Sequence, residues 1–408
     1  MSPLRTPPET RAASRGAQSR IYNRRLVFDA LRQANGLSKA ELARETGLTP
    51  QTIAAIVDEL KAVRFVRESG RRSTPRGQPP VVIEIDPQGG YGLGIRVDRE
   101  RFDLVVSDLV GDIVHAHHGE TPSADTAYLV EFLSRTCEEM VRASRLPKKR
   151  VLGLGLVTPG PFDAPRAATP SPGSLPGFQT RAIATTFSER LGVPVLLEND
   201  ATAAAMSENL FGVARHLRDF FYVFVAEGVG AGLICDGRAY RGGSGNAGEF
   251  GHMIIHPGGR RCYCGNSGCL GQYLSLASLA GRLEAAGTPL SGLGEIETRL
   301  ANGDPGLEAW LGEAADALRL AIASIENLFD PQAIVLGGTA PVALLQALSR
   351  RVEPLLPSLA ADGPSRLVVV EDARDSIAHG AAILPIAAAT SPIPAVLTGG
   401  EELALPSL

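Results

Sequence analysis

The sequence predicts an α/β protein in which a small basic head precedes a larger acidic body. Three observations predict it. Two capped helices and a strand pair fall within the first 87 residues, strand and helix patterns alternate from about Gly90 onward, and charge is split between the two parts. Residues 1–80 carry 15 Lys and Arg against 7 Asp and Glu, whereas the rest carry 25 against 37. With 408 residues and 44% apolar side chains, the chain can form two or three domains without disulfide support. The first twenty residues lack the apolar stretch of a secretion signal. No apolar run approaches the roughly 20 residues of a membrane helix, so a cytoplasmic protein with no membrane partner is expected.

Taken in order, residues 1–20 are rich in Pro, Ser, Arg and Ala and read as a disordered basic tail. A first helix is expected from about Ile21 to Ala34, ended by Asn35-Gly36. Ser38-Lys39-Ala40-Glu41 is a capping box that opens a second helix ending at Gly47. Thr49-Pro50 opens a third, with Thr as N-cap and Pro at the first position. Ile53, Ile56, Val57 and Leu60 mark its buried face. Two strand-like runs follow, Phe65 to Glu68 and Val81 to Ile85, joined by a long tip holding Arg71, Arg72 and Arg76. Residues 21–87 therefore read as a winged helix-turn-helix. The exposed face of the third helix offers Gln51, Thr52 and Ala55 to the bases of double-stranded DNA, and the three arginines suit phosphates or a minor groove.

In the body, strands are expected at Tyr91 to Val97, Phe102 to Ser107, Ile113 to His117, Val151 to Leu156, Val193 to Leu197, Phe220 to Ala226, Ala333 to Leu336 and Leu367 to Val370. Helices are expected at Thr126 to Ala143, Thr180 to Leu191, Gly306 to Phe329 and Pro341 to Leu355. Three of the five cysteines fall within eight residues, as Cys262-x-Cys264-x4-Cys269, with His252 ten residues upstream. Three thiolates and one imidazole complete a tetrahedral structural zinc site, and interleaved glycines let the chain fold tightly around it. His256 is the rival imidazole by spacing; Cys137 and Cys235 are isolated and read as core.

The run Gly245-Asn246-Ala247-Gly248-Glu249-Phe250-Gly251-His252, followed by Cys262-Tyr263-Cys264-Gly265-Asn266-Ser267-Gly268-Cys269, resembles the signature of the ROK family, which groups sugar-responsive repressors with sugar kinases. Leu197-Glu198-Asn199-Asp200-Ala201 resembles the family's sugar and catalytic-base segment, and Thr158-Pro159-Gly160-Pro161 its interior loop. Asn23 to Pro80 resembles the winged helix-turn-helix of the repressor branch. The resemblance spans roughly Arg20 to Ala389. It implies two actin-like α/β lobes around a cleft, residues 88–200 with about 375–390 forming the first and 201–374 the second with its zinc knot, and 391–408 as a tail. It implies a homodimer or homotetramer that binds a sugar or sugar derivative through Asn199, Asp200, Glu249 and His252, with His252 also holding zinc.

The chain departs from the family pattern in two places, the first against catalysis and the second at the sugar site. The family's kinases open with a Gly-rich hairpin that cradles ATP, but here the matching stretch is Arg96-Val97-Asp98-Arg99-Glu100-Arg101. A second phosphate loop of the family survives in part as Gly228-Val229-Gly230-Ala231-Gly232, but Glu227 precedes it, adding another anion where a Thr is expected. A DNA-binding regulator without kinase activity is therefore expected, Asp200 being the base if a kinase function persists. The second departure is Gly271-Gln272, where the family carries a sugar-binding Glu after Cys269-Leu270.

Overall fold

The computed structural model describes residues 8–34, 36–71, 80–160, 175, 178, 181–360, 366–371 and 376–390. The head comprises α1 (Pro8–Ala34), α2 (Lys39–Thr46), α3 (Pro50–Ala62), β1 (Val66–Arg71) and β2 (Val81–Ile85). Disorder over residues 1–20 is corrected from Pro8 onward, because α1 starts there and not near Ile21. Pro at the first helical position and a continuation of Ala, Arg, Glu and Gln favour helix even without large apolar side chains. Residues 1–7 and the 391–408 tail lie outside the described residues.

The caps of the head follow the local sequence closely. Ser38 and Glu41 form the reciprocal capping box, Gly47 ends α2 in the left-handed region at φ 69°, and the Thr49 side chain accepts from the Thr52 N–H at the start of α3. Ile53, Ile56, Val57 and Leu60 are all buried. β1 and β2 pair antiparallel, with an irregularity between Glu68 and Gly70.

The body runs through β3 (Tyr91–Val97), β4 (Arg101–Asp108), β5 (Ile113–Glu120), α4 (Thr126–Ala143), β6 (Val151–Val157), α5 (Arg181–Leu191), β7 (Val195–Glu198) and α6 (Asp200–Leu210). It continues with β8 (Phe220–Val225), β9 (Val229–Cys235), β10 (Arg238–Ala239), α7 (Gly271–Leu274), α8 (Leu276–Ala285), α9 (Glu295–Ala301), α10 (Pro305–Phe329), β11 (Ala333–Gly338), α11 (Val342–Val352), β12 (Leu367–Val369) and α12 (Ser376–Thr390). Two five-stranded sheets share one plan. In the first, ordered β5-β4-β3-β6-β7, an antiparallel meander of three strands continues into parallel β6 and β7. In the second, ordered β10-β9-β8-β11-β12, the meander β8, β9, β10 continues into parallel β11 and β12. This repetition is the two-lobed, actin-like architecture of sugar kinases. The Gly-rich run 228–232, read from sequence as a loop, lies mostly inside β9.

Each lobe has its own core. α4 and α5 cover the first sheet through Leu129, Leu133 and Phe187, with Phe178 packed beside them ahead of α5, and α10 covers the second through Trp310, Leu311 and Leu318. α12 lies almost in contact with the first sheet's backbone. A Cβ at Gly94 would stand 2.4 Å from the Ala382 nitrogen, and one at Gly155 only 1.9 Å from the Ala381 oxygen. Only glycine admits a helix that close. A third core joins head to body, in which Val27, Phe28, Leu31, Ile53 and Ile83 pack with Leu109, Leu152, Ile383 and Ile386.

Candidate functional site

On the head, burial of the α3 apolar face turns Gln51 and Ala55 to solvent. Thr52 is half-buried, and its hydroxyl lies 2.9 Å from that of Thr49, so it serves the cap as well as the surface. Arg71 is the last residue of β1, whereas Arg72 and Arg76 lie outside the described residues. Sequence reasoning passed over Arg44 and Arg67, which are exposed on α2 and β1.

A cavity of about 150 Å³ opens between the lobes. α6 begins on its wall. Asn199 is the N-cap, its Oδ1 accepting from the Thr202 N–H at 2.7 Å, and the next residue, Asp200, accepts from the Ala201 N–H at 2.8 Å. From the other lobe, the loop after β10 brings Glu249 to the same cavity. Burial pushes the Asp200 carboxyl above its ordinary value, and burial together with the Asp200 charge does the same to Glu249. His252 does not line this cavity; Tyr263 stands there, its hydroxyl 3.0 Å from the His252 Nε2.

One ion pair ties the two walls together. Arg241 donates through Nε and Nη2 to Glu198 Oε2 at 3.0 and 2.7 Å, while Glu198 Oε1 accepts from the Asn199 N–H at 3.0 Å. The Arg241 carbonyl accepts from the Ala247 N–H at 3.0 Å, two residues before Glu249. No motif marked Arg241. Tyr263 could have been found, because a side chain between two ligand cysteines must stand beside the metal site.

Two hairpin tips close the remaining side. At the β3–β4 tip, Asp98 Oδ1 accepts from the N–H groups of Glu100 and Arg101, both at 2.9 Å. Arg96 donates to Asp98 and Asp103 at 2.5 and 2.8 Å. At the β8–β9 tip, Glu227 faces the cavity, and burial followed by the charge of Glu100 raises its carboxyl. Gly271, opening α7, sits with its missing Cβ 3.3 Å from the Gly251 oxygen, and Gln272 is not among the residues lining the cavity.

Behind Tyr263, the ligand atoms of His252, Cys262, Cys264 and Cys269 lie within 4.8 Å of one another. The Cys264 and Cys269 sulfurs are 3.7 Å apart, and Cys262 Sγ is 3.5 Å from His252 Nδ1. A tetrahedron with metal–sulfur bonds of about 2.3 Å and metal–nitrogen bonds of about 2.0 Å has edges of roughly these lengths. Burial lowers the His252 pKa, which keeps the imidazole neutral, as a metal ligand must be. His256, the rival by spacing, instead packs edge-on against Tyr273. The four residues therefore form a cluster that can bind a metal ion. Cys137 is the contrasting thiol, fully buried in the first lobe and pushed up to about 12 by burial.

A family model described as ROK family matches residues 92–388, and one described as helix-turn-helix matches residues 29–57. Over 316 residues the chain is 29% identical to a xylose repressor of Bacillus spizizenii, covering 77% of this chain and 81% of that protein. Over 334 residues it is 27% identical to the DNA-binding transcriptional repressor Mlc of Escherichia coli, covering 78% and 81%. Among solved structures, a ROK family transcriptional regulator described as a homologue of E. coli Mlc superposes with a TM-score of 0.74 at 26% identity, covering 92% of this chain and 97% of that one. A ROK hexokinase from Thermus thermophilus superposes with a TM-score of 0.59 at 30% identity, covering 72% and 97%.

Proposed function

The chain belongs to the ROK family, and from that premise we propose that it is a DNA-binding repressor of carbohydrate uptake or catabolism genes, released or engaged by a sugar in a cleft that no longer phosphorylates. The state of the cleft carries this reading. Its carbohydrate side keeps Asn199, Asp200 and Glu249, while on its phosphate side Asp98 accepts from the N–H groups of Glu100 and Arg101. Glu100 and Glu227 add negative charge where a triphosphate would need donors. Ahead of it stands a helix-turn-helix, a module that is superfluous to a kinase and necessary to a repressor.

Gln51, Thr52 and Ala55 of α3 enter the major groove, with Arg71, Arg72 and Arg76 directed to phosphates. Paired heads in a homodimer, or in a homotetramer built as a dimer of dimers, read a near-palindromic operator. Sugar binding closes the lobes and shifts the population of the assembly that fits the operator. Zinc, held by His252, Cys262, Cys264 and Cys269, supplies a structural brace beside the sugar wall.

The test is a duplex selected from fragmented genomic DNA, titrated in gel shifts with D-xylose, D-glucose and N-acetyl-D-glucosamine at millimolar concentrations. Specific binding that weakens steeply with salt and moves with one sugar is expected. Indifference to duplex DNA at modest ionic strength overturns the reading. The placement of Asp200 on the cleft wall favours one rival, an ATP-dependent sugar kinase with a regulatory head. Sugar-dependent turnover of magnesium ATP establishes it instead.

A further inference from the structure

Two helices of the body start in the cleft and end on the head. α6 begins at Asp200 and α12 has Ile377 in its first turn, and both residues line the cavity. The helices pack together closely enough that a Cβ on Gly380 would stand 2.4 Å from the Ala203 oxygen. His379 of α12 fastens them further, with Nδ1 2.9 Å from the Ser207 hydroxyl of α6 and Nε2 2.6 Å from the Gly111 carbonyl. At a rise of about 1.5 Å per residue, α6 spans roughly 16 Å and α12 roughly 22 Å.

At the far end, each helix offers α1 a carbonyl from its last turn. The Arg32 Nη1 donates to the Leu210 carbonyl at 2.5 Å, and the Arg25 Nη2 donates to the Ala388 carbonyl at 2.9 Å. Both guanidinium groups meet the negative end of a helix. Seven residues separate them, so they share one face of α1, two turns apart. Arg32 also lies over the Phe211 ring, 5.7 Å from its centroid, and is steadied by an ion pair to Asp29. Beside Arg25, the Arg24 Nε lies 2.8 Å from Glu59 Oε2 on α3. One helix of the head is thus bound on one side to the ends of the cleft helices and on the other to the helix that presents Gln51 and Ala55.

We propose that α6 and α12 carry the state of the cleft to the head, and that Arg25 and Arg32 are the positioning residues through which α1 follows them. The inference rests on the repressor reading and adds its route. A ligand that draws Asp200 towards Glu249 displaces the start of α6; a packed helix moves as a unit, so its Leu210 end moves Arg32 and tilts α3.

The test uses the full chain, the selected duplex and whichever of the three sugars acts on it. In the wild type, saturating sugar changes duplex affinity by a factor expected between about 5 and 150. Arg32→Met should bring that factor to within about twofold of one, while sugar affinity without DNA and duplex affinity without sugar stay within about threefold of wild type. Arg32→Lys, which keeps a donor for the Leu210 carbonyl, should restore most of the factor. F211L, which removes the ring beneath the guanidinium together with its contact to His379, is the second variant should R32M fail to fold. A wild-type response that R32M and F211L leave intact overturns the inference alone, as does a proportional loss of both affinities. A wild-type duplex affinity that ignores all three sugars overturns the sugar-sensing part of the repressor reading and this route with it, whereas failure to bind the duplex at all overturns the reading itself.

Discussion

The β3–β4 and β8–β9 tips occupy equivalent places in the two lobes and face the same cavity, yet they differ in what their backbones have left to give. At the first, the Asp98 carboxylate accepts two N–H groups of its own turn, and the Asp98 N–H donates to the Arg101 carbonyl at 3.0 Å. At the second, a Cβ on Gly228 would meet nothing within 4 Å, and the carbonyls of Ala226 and Glu227 accept N–H groups from the start of α8 at 2.9 and 3.3 Å. One tip has consumed its donors; the other keeps its room but presents a carboxylate. Either route disfavours a bound phosphate, because an anion needs free donors and no competing charge. The wall proposed to hold the sugar, by contrast, keeps the side-chain acceptors of Asn199, Asp200 and Glu249 on the cavity.

The contrast is tested most severely by Asp200→Asn. Hydrogen bonds to a charged acceptor contribute about 1.5–3 kcal/mol, so sugar affinity should fall about a hundredfold by calorimetry. A loss below about threefold would remove Asp200 from the sugar wall. Next in size is Tyr263→Phe, which deletes the hydroxyl 3.0 Å from His252 Nε2. Metal affinity should drop about tenfold or more in a chelator competition, and an unchanged value would separate the metal cluster from the cleft. Smaller again is the pair Asp98→Gly with Glu227→Thr. Together they should raise the affinity for magnesium AMP-PNP about tenfold, to the millimolar range, with neither change sufficient alone.

The smallest effect concerns acidity. Because burial raises the Asp200 carboxyl in the folded chain, the folded state holds that proton more tightly than the unfolded one. Its contribution to stability is fully present below the ordinary value of 3.8 and is lost as pH rises through the raised one. Asp200→Asn should therefore raise the melting temperature at pH 7, and the gain should vanish below about pH 4. A melting temperature unaffected at pH 7 would place Asp200 in a wetter setting than its position suggests.

Local chemistry made the head legible. Ser38, Glu41, Gly47, Thr49 and Pro50 each act within one helical turn, so their spacing alone located α2 and α3. In the body, the strongly apolar strands were readable, but β9 was hidden by glycines that serve close packing, Gly232 lying against Ala201. α6 and α12 were hard to recognise because Ala, Gly and Pro385 give no amphipathic stripe; such helices are held by backbone proximity. Asn199, Asp200 and Glu249 on the cavity wall and the Cys/His cluster were visible as motifs. Arg96 and Arg241 were not, because their roles depend on which strands and loops converge, whereas Tyr263 was signalled by its place between two cysteines.

The apolar core shared by α1 with Leu152 and Ile383 has a consequence for the shape of the DNA that this protein can occupy. A reader hinged on a loose tether tolerates half-sites at many separations; one moulded into its chassis works as a fixed caliper. In a symmetric pair of such chains, the gap between the jaws is set by the protein and not by the duplex. Adding five base pairs between half-sites, about half a helical turn, should turn one of them to the wrong side of the DNA, where neither jaw can swivel to follow.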